Sequence, residues 1–124
     1  MEMPPANTFC WNELMTRDVA ECKKFYTQLF GWTAEDKPMG PMTYTMFHKG
    51  AQPVGGMLAI SPEMGPTPPN WLSYVAVENC DASAKRVAEL GGKIMCPPTD
   101  IPTIGRFAVA QDPSGAVFAF IKLG

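Results

Sequence analysis

The second half of this chain repeats the first, and no other feature constrains its fold as much. A bounded apolar run, Phe9-Cys10-Trp11-Asn12-Glu13-Leu14-Met15, reads as a strand and leads into Asp18, with Glu21 three residues later in capping-box spacing. Apolar residues then fall at Val19, Cys22, Phe25, Tyr26, Leu29 and Phe30. Steps of three and four place them on one helical face, with the Phe25-Tyr26 pair in the core, and Gly31 closes the helix. The same order returns with the strand-like Trp71-Leu72-Ser73-Tyr74-Val75-Ala76-Val77, then a cap at Asn79 or Asp81. A helix follows through Ala84, Val87, Ala88 and Leu90, ended by Gly91-Gly92. A shift of 61 residues lays Leu29 on Leu90, Gly31 on Gly92, Asp18 on Asn79 and Tyr26 on Val87. Three short strand-like runs come after each helix, near 32–36, 42–48 and 54–60, then near 93–96, 106–111 and 116–122.

Each half therefore reads βαβββ. One such unit leaves a sheet face open, and two bury those faces against each other, so the pair is the stable object. The expected organisation is a single domain, 1–124. Module one spans about 7–60, a Pro/Gly-rich linker spans 61–70, and module two spans about 71–124.

Composition narrows the class. Apolar residues make up 46% and charged residues 18%, which excludes a disordered chain. A net charge of −2 provides no basic face, so nucleic acid is not an expected partner. No apolar run approaches the length of a membrane span, and Met1-Glu2-Met3-Pro4-Pro5 does not read as a secretory signal, so the expectation is a cytoplasmic protein with no membrane contact. Cys10, Cys22, Cys80 and Cys96 form no C-x-x-C pair and have no neighbouring His. They read as small buried hydrophobes.

Several local patterns point further. They are Phe25-Tyr26-x-x-Leu29-Phe30-Gly31-Trp32, Leu90-Gly91-Gly92, and Asp112-Pro113-Ser114-Gly115 leading into Val117-Phe118-Ala119-Phe120. In this order and spacing they resemble the vicinal oxygen chelate superfamily, which includes glyoxalase I, bleomycin and fosfomycin resistance proteins and extradiol dioxygenases. The resemblance implies an α+β fold of two pseudo-repeated βαβββ modules, forming a curled mixed sheet around a cleft with the helices outside. It also implies a homodimer. Metal-using members hold a divalent ion on His, Glu or Gln from the first and last strand of each module. Counted onto this chain, those four positions are Trp11, Gly56, Leu72 and Ala119. None of these side chains ligates a divalent ion. No cofactor is therefore expected, and a divalent metal on other groups such as Glu13 and His48 is the alternative.

Glu13 is the sharpest candidate, because a carboxylate among Trp11, Leu14 and Met15 is costly unless it is paired or used. Tyr74 is its repeat mate. Trp11, Glu13, Tyr74 and Arg106 are the expected ligand-binding residues, with Trp11 stacking and Arg106 clamping an anion. Each has a bland counterpart: a structural partner for Glu13, core packing for Trp11, Trp32 and Trp71, and an Asp partner for Arg106. Likewise, Tyr44 and Tyr74 would satisfy their hydroxyls locally, His48 would cap a solvated strand end, and Asp112 would serve a turn. The expected function is small-molecule binding in the cleft without the usual metal ligands. The alternative is a lyase, isomerase or dioxygenase using Glu13 as base or noncanonical ligand. A third reading keeps the fold and has lost the site.

Overall fold

Helix α1, Val19–Phe30, begins where the sequence places its cap. The Asp18 side chain accepts from the Glu21 N–H at 3.1 Å. It ends at Gly31, which adopts φ 71° and donates to the Thr27 carbonyl. Only a residue without a Cβ takes that left-handed conformation at little cost. Helix α2, Cys80–Glu89, is built alike: Asn79 accepts from the Ala82 N–H at 3.0 Å, and the backbone turns away at Gly91. These features belong to a computed structural model that describes residues 4–39, 42–62, 66–101 and 104–124.

Eight strands accompany the helices: β1 Phe9–Thr16, β2 Thr33–Met39, β3 Met42–Lys49, β4 Gln52–Ala59, β5 Asn70–Ala76, β6 Lys93–Ile101, β7 Gly105–Gln111 and β8 Val117–Leu123. The element order is βαβββ twice over, and the class is α+β. Two compact units result. One comprises Asn12–Trp71, with strand order β2-β3-β4-β1, β1 and β4 running parallel and the other pairs antiparallel. The other comprises Leu72–Gly124 with Met1–Trp11, in strand order β5-β8-β7-β6, with β5 and β8 parallel. The leading segment joins this second unit through bonds from Asn7 N–H to the Ala76 carbonyl and from Ala76 N–H to the Thr8 carbonyl.

The repeat reappears in the registers. Glu13 faces Gly56 across the β1–β4 pair, and Tyr74 faces Ala119 across the β5–β8 pair.

In each unit a helix covers one sheet face. Val19, Cys22 and Tyr26 of α1 pack on Leu14, Phe47 and Met57. Ala84 and Val87 of α2 pack, with the buried Cys80, on Ala108, Ala110 and Phe120. The stripe on α1 is narrower than its apolar spacing suggests. Phe25, expected in the core beside Tyr26, is 57% exposed and touches that ring edge-on at 5.0 Å, while Leu29 and Phe30 are also exposed.

Two strands run longer than the sequence indicates. Strand β2 continues through Pro38, and β6 continues through Pro97 and Pro98 with register shifts on both sides of Cys96. Both lie at the outer edge of their unit's sheet, where a residue lacking an N–H leaves no ladder bond unmade.

Candidate functional site

Side chains alternate along each strand, so the sheet face away from α1 can be read from the registers. Row by row it carries Lys37 beside Tyr44, then Glu35, Met46, Gly56 and Glu13 in line, then Leu58 beside Met15. Glu13 is 7% exposed and sits between buried Leu14 and half-buried and exposed neighbours on its N-terminal side. Around Met46, Gly56, Leu58 and Met15 this face is apolar, with the buried Glu13 carboxylate among them and the exposed Lys37–Glu35 pair at its outer edge.

The space over Gly56 is taken by Tyr44. A Cβ built on Gly56 would overlap the Tyr44 hydroxyl and Cζ, and would lie 2.8 Å from Cε1. Gly56 has no positive φ, so the backbone does not demand glycine there. What the missing side chain provides is room for the end of a phenol ring. Because Glu13 and Gly56 are register partners on adjacent strands, that hydroxyl lies beside the strand position from which the Glu13 carboxylate rises. Sequence reasoning named Tyr44 only as a hydroxyl in need of a partner. The mid-strand pair Gly55-Gly56 was the signal that a large side chain crosses there.

The other expected residues fall differently. Tyr74 is buried on β5 opposite Ala119, itself 0% exposed, and its ring lies 6.4 Å from that of Phe107. Trp11 is half-buried on β1. Arg106 lies on the helix side of β7 with its fork engaged. Nε and one terminal nitrogen donate to the two oxygens of Asp81 at 3.1 Å each, and the other donates to Asp100 at 2.9 Å. These two carboxylates hold the guanidinium charged and push its pKa up. Arg106 thus ties the first turn of α2 to β6 and β7. His48 sits at a register shift near the end of β3, opposite Thr33 and Pro53. Asp112 shapes the turn before β8, accepting from the Ser114 hydroxyl at 2.6 Å, the Ser114 N–H and the Ala116 N–H. The Ser114 hydroxyl first, then these amides, hold its carboxyl below the usual range.

On the helix side of the first unit lies an open hollow of about 470 Å³ lined by Asn12, Tyr26, Phe30, Trp32, Val54 and Trp71. Its polar atoms are partly spent within it, since the Trp71 indole N–H donates to the Tyr26 hydroxyl at 3.1 Å. The four cysteines are free, but only Cys80 is buried as expected; Cys10, Cys22 and Cys96 are half-buried, and burial pushes the Cys80 and Cys10 thiols up. No helix among the described residues is long and apolar enough to cross a membrane.

Known proteins share both fold and sequence. The provisionally named glyoxylase CFP32 of Mycobacterium tuberculosis is 37% identical over 116 residues, covering 93% of this chain and 44% of that protein. The anthracycline biosynthesis protein DnrV of Streptomyces peucetius is 34% identical over 113 residues, covering 91% and 40%. The chain thus spans less than half the length of these relatives. Among solved structures, methylmalonyl-CoA epimerase from Mycobacterium tuberculosis superposes with a TM-score of 0.65 at 11% identity, over 99% of this chain and 93% of that one. A likeness at that identity speaks for the fold. The family model described as Glyoxalase/Bleomycin resistance protein/Dioxygenase superfamily matches residues 8–120, and the chain belongs to that superfamily.

Proposed function

We propose that the sheet face carrying Glu13 binds a small oxygen-bearing molecule, and that it does so without a resident metal ion. The observation that carries the reading is a buried carboxylate on an otherwise apolar strand face, set opposite a glycine. Small-molecule sites are mostly apolar surfaces carrying a few placed polar groups, and a carboxylate on this face is such a group. The donor set supports the metal-free part. Counted as the resemblance implies, the positions at which metal-using members of the superfamily place ligands fall on Trp11, Leu72, Ala119 and near Gly56, whose side chains offer a divalent ion no oxygen, sulfur or imidazole. Among the described residues, no three His, Cys, Asp or Glu stand close enough to share an ion.

A homodimer is the proposed working form, as the resemblance to the superfamily implies. Light scattering behind gel filtration reads that directly. A cytoplasmic location completes the reading and is checked by cell fractionation.

Calorimetric titration of small aromatic and carboxylate compounds against wild type and Glu13→Gln tests the site. A hit whose affinity falls at least tenfold in the variant supports it, and equal affinities overturn it. Stoichiometric metal retained by protein purified without chelator, measured by plasma mass spectrometry, overturns the metal-free part.

A second reading is favoured by the same placement. A carboxylate in an apolar setting beside a hydroxyl suits a general base that takes a proton next to a carbonyl. Deuterium uptake at that carbon of a bound carbonyl compound, lost in Glu13→Gln, is the expected signature.

A further inference from the structure

We propose that the hollow on the helix side of the first unit is a binding site for a planar aromatic carboxylate, with Lys49 as the counter-charge. It lies on the opposite sheet face from Glu13, so it does not depend on a ligand there. Four of its six lining side chains are aromatic: Tyr26, Phe30, Trp32 and Trp71. The Tyr26 ring lies 6.0 Å from that of Trp32 with 13° between the planes, and meets Trp71 edge-on at 5.4 Å and 85°. The hollow therefore presents ring surfaces in two nearly perpendicular directions. The fold leaves part of them uncovered, with Phe30 50% and Trp71 40% exposed.

An irregularity in β4 completes the walls. Phe47 pairs with Gly55 and His48 with Pro53, so Val54 is an extra residue, a β-bulge. Bulges re-aim a side chain, and Val54 lines the hollow.

Charge selects the ligand. The β2–β3 ladder is regular at this end, with Ala34 opposite Phe47, both packed on the α1 side. Lys49 stands two residues beyond Phe47 and so returns to that side. Its ammonium lies 3.7 Å from where a Cβ on Gly31 would be, and Gly31 joins Phe30 to Trp32, two of the walls. Among the described residues the Lys49 ammonium has no ion pair, hydrogen bond or ring contact. No carboxylate lines the hollow either. Aromatic faces alone suit a cation, but an ammonium at the rim repels one and attracts an anion. A flat aromatic acid lays its ring against the walls and turns its carboxylate to Lys49. The same ammonium sits at the C-terminal end of α1, whose last turn has no basic residue of its own. That position favours a cation and leaves its hydrogen-bond donors open.

The test titrates 2-naphthoate and its neutral counterpart 2-naphthamide into the full chain at low ionic strength. The indole N–H signals of Trp32 and Trp71 are followed by NMR. Both compounds are expected to shift both signals. The acid should bind about threefold to fivefold more tightly, the upper end for an exposed ion pair. That preference should approach unity in Lys49→Met and in high salt. Trp71→Leu, which keeps an apolar residue and removes one ring surface, should weaken both compounds at least about threefold.

Equal binding of acid and amide by the wild type overturns the proposal and leaves Lys49 serving the helix end alone. A preference that survives Lys49→Met overturns it too, as does a failure of either compound to move Trp32 and Trp71. A dimer seen by sedimentation that Trp71→Leu dissociates also overturns it, because a second copy is then the occupant.

Discussion

Replacing Gly56 with alanine should destabilise the protein, and Tyr44 should be the whole reason. In a strand interior the exchange of glycine for alanine by itself stabilises by about 0.5–1 kcal/mol, through reduced freedom of the unfolded chain. Here the new methyl group would overlap the Tyr44 hydroxyl and Cζ and stand 2.8 Å from Cε1, so the phenol must leave its place. Overpacking of this kind costs about 1–3 kcal/mol. The net loss is therefore about 0.5–2 kcal/mol, and for a chain of this size each kcal/mol lowers Tm by about 4 °C. In a Tyr44→Ala background the obstacle is gone, and Gly56→Ala should turn stabilising by about 0.5–1 kcal/mol. The coupling between the two positions is then the overpacking term itself, about 1–3 kcal/mol. Urea unfolding of the wild type, both single variants and the double variant measures it. A coupling below about 0.5 kcal/mol would refute the account of Gly56 as space reserved for the Tyr44 ring. Gly105 is the contrast: its added Cβ would overlap the Lys122 carbonyl oxygen and lie 3.1 Å from the Leu123 Cα. Those are backbone atoms in a paired strand, so Gly105→Ala should cost more than Gly56→Ala, and no side-chain deletion should rescue it.

Other perturbations have equally definite outcomes. Asp18→Ala and Asn79→Ala each remove one helix N-cap bond, and each should lower unfolding free energy by about 1 kcal/mol in urea titrations. Phe47, 0% exposed between α1 and its sheet, should cost about 3–5 kcal/mol when cut to alanine. The Asp112 carboxyl is held below its ordinary value in the folded state. Its contribution is therefore present above the unfolded value of about 3.9 and is lost as pH falls through the folded one. Asp112→Asn should accordingly show a shallower fall in Tm between about pH 5 and pH 2 than the wild type. Arg106→Gln should leave ligand affinity on the Glu13 face unchanged while lowering Tm slightly, and that loss should shrink in high salt because the Arg106 pairs are exposed.

The repeat was legible because it is written in caps and helix stops, which are local. Asp18, Gly31 and Asn79 act on residues within four positions of themselves, and each does what its spacing implies. The extents of β2 and β6 were not legible, because Pro38, Pro97 and Pro98 read as breaks unless their strands are known to lie at an edge. Phe25 was misplaced for a related reason: helical periodicity reports that residues share a face but not how wide a sheet will cover it. For Arg106 the sequence left an anion clamp and an Asp partner both open, because Asp81 and Asp100 are distant in sequence and meet it only once β6 and β7 pair and α2 packs over them. Glu13 was visible as an anomaly, a charge in an apolar run, whereas Tyr44 needed the β3–β4 register to be placed.

That register also explains why the two units of a repeat need not do the same work. Glu13 with Gly56 and Tyr74 with Ala119 are equivalent pairs, each setting a polar side chain against a small one. A small partner leaves a space, and what fills it decides the chemistry. In the first unit the partner is glycine, and the hydroxyl end of Tyr44 enters from the third strand, next to a carboxylate. In the second, Ala119 is itself fully covered, Tyr74 packs near Phe107, and the register supplies no carboxylate. A charge beside a hydroxyl can hold or move a proton, whereas a phenol among alanine and phenylalanine can do little beyond satisfy its own hydrogen bond. On that contrast rests the proposal that the ligand face is the one Glu13 shares with Tyr44.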